Sequence, residues 1–410
     1  MRVLLLAGLF AALVSPALAQ TPTPAASASP AAPAALDALA RGRIDAMLRT
    51  GHADAAWFSA TFLAQISVTQ LDSIAAGLKT NLGAYKGIAG TQGDYTAQFE
   101  KGTDEVLVHL DAADKIDSIF FKPPKMQAVS LDDGLRALRE LRPSTGTLSY
   151  VILEGRSERA ALEASAPLAV GSAFKLAVLA ALRDEITRGR RHWTDVVPLD
   201  ARWKSIPSGV LQTWPDKTPI TLATYAAQMI SISDNTAADA LVRLAGPAAL
   251  GPYAARNAPF LTTRETVILK STPGAAQRAA YLAAATPAAR FTVLRAVDAL
   301  PLPSIAQLVT TPILAIEWQY SVRELCDVMG RVADLPLMSI NPGVADPASF
   351  RQVAFKGGSD FGVINLTTQV TTKRGTRLCF SATLNDRASA VNPSSFTTAY
   401  GAVLSVLADS

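Results

Sequence analysis

Gly171-Ser172-Ala173-Phe174-Lys175-Leu176-Ala177-Val178-Leu179-Ala180-Ala181-Leu182 is the stretch on which the fold turns. From Leu176 onward it is apolar nearly all round, so the spacing predicts a helix buried on every face. Gly189 can end it. A serine at the start of such a helix feels the positive end of the helix dipole. The lysine three residues on lies one turn away, on the serine's face. A lysine entering an apolar helix is costly unless it is paired or neutral, which makes Lys175 a candidate base for Ser172 without any histidine. Alone, the same letters also describe a helix N-cap followed by a lysine reaching for solvent.

Downstream, Ser233-Asp234-Asn235 lies between two helical segments. One ends near Ile230 and the next runs from about Thr236 to Leu244, before Gly246. Further on, Lys356-Gly357-Gly358-Ser359 is expected at the end of a strand, where two glycines let a ligand approach the backbone. Each of these alone reads as a polar loop or a turn.

The segments around these motifs set the organisation. Residues from about Ala35 to Phe121 carry two helix-spaced stretches (Leu36 to Leu48, Val68 to Tyr85) and three short strands (Tyr95 to Phe99, Val106 to Leu110, Ile116 to Phe121). Helices followed by an antiparallel meander predict a small α+β domain over residues 35–124, closed by Pro123-Pro124. The second domain is expected over residues 126–410. It opens with a helix (Leu131 to Leu141) and a strand (Leu148 to Leu153). It closes with strands Gln352 to Phe355, Gly362 to Val370 and Thr376 to Leu384 and a helix from Ser395 to Leu407. Phe174 to Val332 reads mainly as helix. Strands at both ends and helices between predict one antiparallel sheet flanked by helices, with an inserted helical subdomain.

The chain begins with Arg2, an apolar run from Val3 to Val14 and the small-residue site Ala17-Leu18-Ala19. Residues 1–19 are therefore expected to be an export signal, followed by a Pro/Ala-rich tether over residues 20–34. A periplasmic or extracellular protein is expected, with no integral membrane segment in the mature chain. Cys326 and Cys379 could form a disulfide there, or stand as two buried thiols. Of the 410 residues 49% are hydrophobic and 18% charged, an ordinary globular mixture. The net charge of +4, from 38 basic and 34 acidic residues without long basic runs, gives no reason to expect nucleic-acid binding. His52, His109 and His192 form no short-spaced cluster with each other or with cysteine, so neither a metal nor any other cofactor is expected.

Taken together, the three motifs, separated by 61 and then 123 residues, match one arrangement. It is the Ser-x-x-Lys, Ser-Asp-Asn, Lys-Thr-Gly set of class A β-lactamases and penicillin-binding proteins, which the chain resembles from about Ser149 to Ser410. The layout resembles the clavulanate-cluster cephalosporin esterase-like subgroup, in which a small steroid-isomerase-like or cystatin-like domain precedes the hydrolase domain. The resemblance implies a Ser172 acyl-enzyme, with Lys175 as proton acceptor, Ser233 as proton relay and Lys356 holding that relay in a positive field. It implies that Asn235 binds the acyl side chain's amide and that Gly357, Gly358 and Ser359 line the substrate. The backbone N–H groups of Ser172 and Ser359 would form an oxyanion hole.

Two features depart from the family pattern. Gly357 stands where threonine is usual, and Ser359 is the residue that could compensate. The Arg-x-Glu-x-x-Leu-Asn loop has its nearest match at Arg264-Glu265-Thr266-Val267-Ile268-Leu269-Lys270, with Thr266 at the glutamate position and Lys270 at the asparagine position. Glu265, one residue out of register, is the candidate deacylation base, and Lys270 is a candidate partner for it. The expected substrate is a small β-lactam or a related ester. The alternatives are a DD-peptidase acting on peptidoglycan, an esterase of the same superfamily, and a non-catalytic β-lactam-binding or sensor protein.

Overall fold

The computed structural model describes residues 33–410 apart from residues 123, 129, 254 and 255. The expected export signal, nearly all of the tether, and Pro123 of the Pro-Pro pair lie outside the described residues. The end of the tether is helical, since α1 starts at Pro33, where the ring's fixed φ suits a first helical position.

The N-terminal part contains α1 (Pro33–Thr50), the short α2 (Ala60–Leu63) and α3 (Val68–Leu82). Strands β1 (Tyr85–Thr91), β2 (Asp94–Phe99), β3 (Gly102–Leu110) and β4 (Ile116–Phe121) follow as an antiparallel meander, with β5 (Lys125–Met126) added against β3. β1 is absent from the sequence expectation, because Gly87 and Gly90 interrupt any alternation of apolar and polar residues. Gly90 is required there, since a Cβ would lie 2.2 Å from the Asp94 carbonyl oxygen. Ile44, Met47, Leu71 and Leu78 from the helices pack on Ala97, Phe99, Val106 and Ile116 from the sheet.

The larger part opens with α4 (Leu131–Glu140), β6 (Gly146–Glu154), β7 (Ser157–Leu162) and the two-residue β8 (Leu168–Ala169). Helix α5 (Lys175–Thr187), strands β9 (Val196–Pro198) and β10 (Pro219–Thr221), and helices α6 (Leu222–Ser231), α7 (Asn235–Leu250), α8 (Thr263–Leu269), α9 (Ala275–Ala283) and α10 (Pro287–Asp298) form the insert. Then come β11 (Gln319–Tyr320), α11 (Val322–Val332), β12 (Phe350–Asp360), β13 (Val363–Thr372), β14 (Arg377–Asp386) and α12 (Pro393–Leu407). The main sheet is antiparallel, in the order β12-β13-β14-β6-β7.

That sheet is covered on both faces, which is why its strands read as long apolar runs. On one face Leu135 and Leu138 of α4 and Phe396, Tyr400 and Val403 of α12 pack on Tyr150, Leu366 and Phe380. Tyr400 stacks on Phe380 with ring centroids 4.1 Å apart, and its buried hydroxyl donates to the Phe380 carbonyl at 2.7 Å. On the other face Cys326 of α11 and Cys379 of β14 are joined in a disulfide. Helix α5 is buried along its whole first two turns, from Lys175 to Leu182, between α6, α7 and α11. Each fully buried Leu or Val there contributes at most roughly 1.5–3 kcal/mol. The two parts meet where Asn81 of α3 donates to Ser394 Oγ at 3.1 Å and accepts from Ser395 Oγ at 2.7 Å, at the start of α12.

Candidate active site

Ser172 lies in a 3-10 turn, Gly171–Phe174, that runs directly into α5, rather than at a helix N-cap. Gly171 enters that turn at φ +50°. Strand β12 crosses it at very close range: a Cβ on Gly358 would lie 2.5 Å from the Ser172 amide nitrogen, and one on Gly171 would lie 2.8 Å from the Ser359 amide nitrogen. Only glycine lets the two backbones approach this closely. The Lys356-Gly357-Gly358-Ser359 motif therefore lies inside β12, which extends to Asp360 instead of ending before the motif.

Lys175 is fully buried, and its Nζ lies 3.2 Å from Ser172 Oγ. It donates to the Ser233 carbonyl at 2.6 Å and to Asn235 Oδ1 at 2.7 Å, and lies 3.1 Å from Ser233 Oγ. Burial, and then the charge of Lys356, depress its pKa well below the ordinary lysine range. A neutral amine has two N–H bonds and one lone pair. The two carbonyl-type oxygens accept the N–H bonds, which leaves the lone pair for a hydroxyl proton.

Ser233 is held in the left-handed region at φ 58°, a costly conformation for a residue with a Cβ. Its carbonyl accepts from Lys175 and also from Ser208 Oγ at 2.9 Å. The next residue explains the turn. Asp234 caps α7 by accepting from Ala237 N at 2.8 Å, while its other oxygen accepts from Val210 N at 2.7 Å and Leu211 N at 2.9 Å. Three backbone donors satisfy this buried carboxylate and fix the loop that presents Ser233. Lys356 reaches in from β12 with its Nζ 3.1 Å from Ser233 Oγ, and burial lowers its pKa to about 7.

The structure thus brings Ser172, Lys175, Ser233 and Lys356 into one hydrogen-bonded chain. Asn235 has its Oδ1 on Lys175 and donates one amide N–H to the Ile206 carbonyl at 2.7 Å, which leaves a single N–H for any ligand. Ser359 is exposed beside the turn, and a Cβ on Gly357 would lie 3.0 Å from the Leu366 and Phe355 side chains.

Glu265 is not brought to this cluster. It closes a capping box with Thr262, accepting from Thr262 N at 2.7 Å, and its other oxygen accepts from Arg243 at 2.9 Å. Burial pushes its pKa up against the Arg243 charge. Among the described residues neither oxygen bonds to Ser172, Lys175, Ser233 or Lys356. Thr266 turns its hydroxyl back to the Thr262 carbonyl at 3.0 Å. Lys270 does not pair with Glu265 either: its Nζ bonds to Glu317 and, at 2.8 Å, to Asp360 Oδ2. The sequence reading missed Ser208, Ile206, Glu317 and Asp360. Of these only Asp360 carried a signal, two residues past Gly358 on the strand face that also bears Lys356.

Residues 131–300 match the model of the β-lactamase enzyme family. No curated protein matches the chain. Among solved structures, a β-lactamase from Sphaerobacter thermophilus aligns with 19% identity and a TM-score of 0.48, covering 68% of this chain and 96% of that one. A protein named PBP-A aligns with 15% identity and a TM-score of 0.44, over 70% of this chain and 98% of that one. A β-lactamase from Xanthomonas campestris aligns with 20% identity and a TM-score of 0.42, over 69% and 99%.

Proposed function

We propose that this chain, whose residues 131–300 match the β-lactamase enzyme family, is a serine hydrolase of the β-lactamase and penicillin-binding protein type that opens β-lactams or related esters through an acyl-enzyme on Ser172. The observation that carries the reading is the buried Lys175, whose lone pair is left free for the Ser172 proton by its two carbonyl-type acceptors. Ser172 Oγ attacks the substrate carbonyl carbon and passes its proton to Lys175. The negative oxygen that forms is met by the Ser172 and Ser359 N–H groups, which the close passage of Gly171 and Gly358 brings together. Ser233 then delivers a proton to the leaving nitrogen or oxygen as the C–N or C–O bond breaks. Ser233 is resupplied by Lys175, 3.1 Å away, while the Lys356 charge steadies the relay. Water later releases the acyl group.

Export belongs to the same reading. The Cys326–Cys379 bridge suits an oxidising compartment, as does the apolar leader of residues 1–19.

The test is labelling by a fluorescent penicillin. Wild-type protein should carry about one covalent label per chain, and Ser172→Ala should carry none. Equal labelling of the two would refute the assignment.

A further inference from the structure

We propose that Lys270 is a positioning residue for the two backbone donors beside Ser172, acting through Glu317 on one side and Asp360 on the other; this rests on the acyl-enzyme reading. Lys270 is the residue at which α8 ends, and its ammonium binds both carboxylates. Asp360 directly follows Ser359, so one arm of the node reaches the second N–H donor through a single peptide unit. It holds that position firmly, because its other oxygen accepts from Phe361 N at 2.7 Å.

The second arm runs through Glu317 into Trp318. The Trp318 carbonyl accepts from Val170 N at 3.1 Å, two residues before Ser172, and its ring stacks on Phe174 with centroids 3.7 Å apart. Its indole N–H donates to the Leu261 carbonyl at 3.1 Å, which ties the segment to the approach of α8. One cation therefore links the two chain segments that carry the oxyanion donors. The two carboxylates it binds, Glu317 and Asp360, come from positions 47 and 90 residues away from Lys270 in sequence. The space between them is narrower than one Cβ, so a small displacement of either segment opens the gap.

The energetic setting agrees. The side chains of Lys270 and Glu317 are 11% and 1% exposed. Burying such a pair costs several kcal/mol of desolvation, and an apolar trio of similar volume would hold three segments together at least as well. What an apolar trio lacks is direction: an ammonium holds two acidic side chains at hydrogen-bond distance, Asp360 next to Ser359 and Glu317 next to Trp318, whose carbonyl holds Val170.

The experiment compares wild type with Lys270→Met/Glu317→Gln, which removes the cation together with the more buried acid, and with Asp360→Asn, which cuts only the β12 arm. Acylation is followed by stopped-flow with a chromogenic cephalosporin, and the acyl carbonyl stretch is read by isotope-edited infrared spectroscopy. Loss of donor alignment should slow acylation roughly 10- to 100-fold. It should also leave the pre-acylation binding constant within a few-fold of wild type and raise the carbonyl frequency, because the C=O loses hydrogen bonds. Lys270→Arg should restore part of the rate. A folded double variant that acylates at the wild-type rate with an unshifted carbonyl overturns the proposal. So does a defect confined to deacylation. A wild-type protein that takes no label at all removes the acyl-enzyme reading itself, and the positioning role falls with it.

Discussion

Lys175 and Lys356 reach the same oxygen from different elements: each Nζ lies 3.1 Å from Ser233 Oγ. Two ammonium ions this close to one hydroxyl, both buried, would repel, so they share the burden unequally. Burial lowers both, and the charge of Lys356 lowers Lys175 further, so Lys175 serves as the neutral base, while Lys356 carries charge below about 7. Acylation then needs Lys175 unprotonated and Lys356 protonated. The rate on free enzyme should fall as pH rises through about 7, because Lys356 loses its proton there. Lys356→Arg keeps its charge at every accessible pH and should move that limb upward by at least about one unit, with a lower maximum because the planar fork does not reproduce the lysine geometry. A basic limb that stays in place in the arginine variant would show that Lys356 does not set it.

Release of the acyl group should be slow. Thr266 stands at the position where the family resemblance puts the base carboxylate, and Glu265 is committed to Thr262 and Arg243. General-base assistance is worth typically ~10²–10⁴-fold. Stopped-flow turnover of a penicillin should show a burst near one equivalent, then a slow steady state. Glu265→Gln should lower the melting temperature through the lost ion pair with Arg243, since glutamine can still close the cap, while leaving that steady state within about two-fold. Rapid linear turnover that Glu265→Gln abolishes would restore Glu265 as the base.

Reducing the disulfide should destabilise the larger part. Cys326 and Cys379 are 53 residues apart. Closing a loop of that size removes unfolded-state entropy worth about 4 kcal/mol in the chain-entropy account. Calorimetry of Cys326→Ala/Cys379→Ala should show a fall in melting temperature of about 10 °C. A shift under about 2 °C would mean that the packing of α11 on the sheet already holds this contact.

The N-terminal part should lose stability with rising pH. Asp104 on β3 is buried, neither carboxyl oxygen has a partner among the described residues, and burial followed by the Glu105 charge pushes its pKa up to about 7. A folded-state value above the unfolded one means that the stability is fully present below about pH 4 and is lost as pH rises through about 7. The loss is at most ~4 kcal/mol. Thermal melts of Asp104→Leu between pH 5 and 8.5 should be flatter than wild type and higher at the alkaline end. Parallel pH curves for the two proteins would place the ionisable group elsewhere.

Residues whose chemistry depends on local chain geometry were legible in the sequence. Ser172 and Lys175 are one turn apart, Ser233 precedes a capping aspartate, and Lys356 precedes two glycines, and the resemblance to a known set of three motifs joined the four. The buried α5 was legible too, because apolar residues on every face leave a helix no solvent side. Partner choice across long separations was not legible. Glu265 looked free because nothing in its neighbourhood announces Arg243, 22 residues earlier. Lys270 lies five residues from Glu265 in sequence, yet folding turns it toward Glu317 and Asp360. Strand β1 was hidden because its order comes from β2's hydrogen bonds rather than from its own side chains. Local propensity acts over a few residues. Which carboxylate meets which cation is decided only when the sheet and the inserted helices close on one another, because electrostatic pairing acts through space and has no period in the chain.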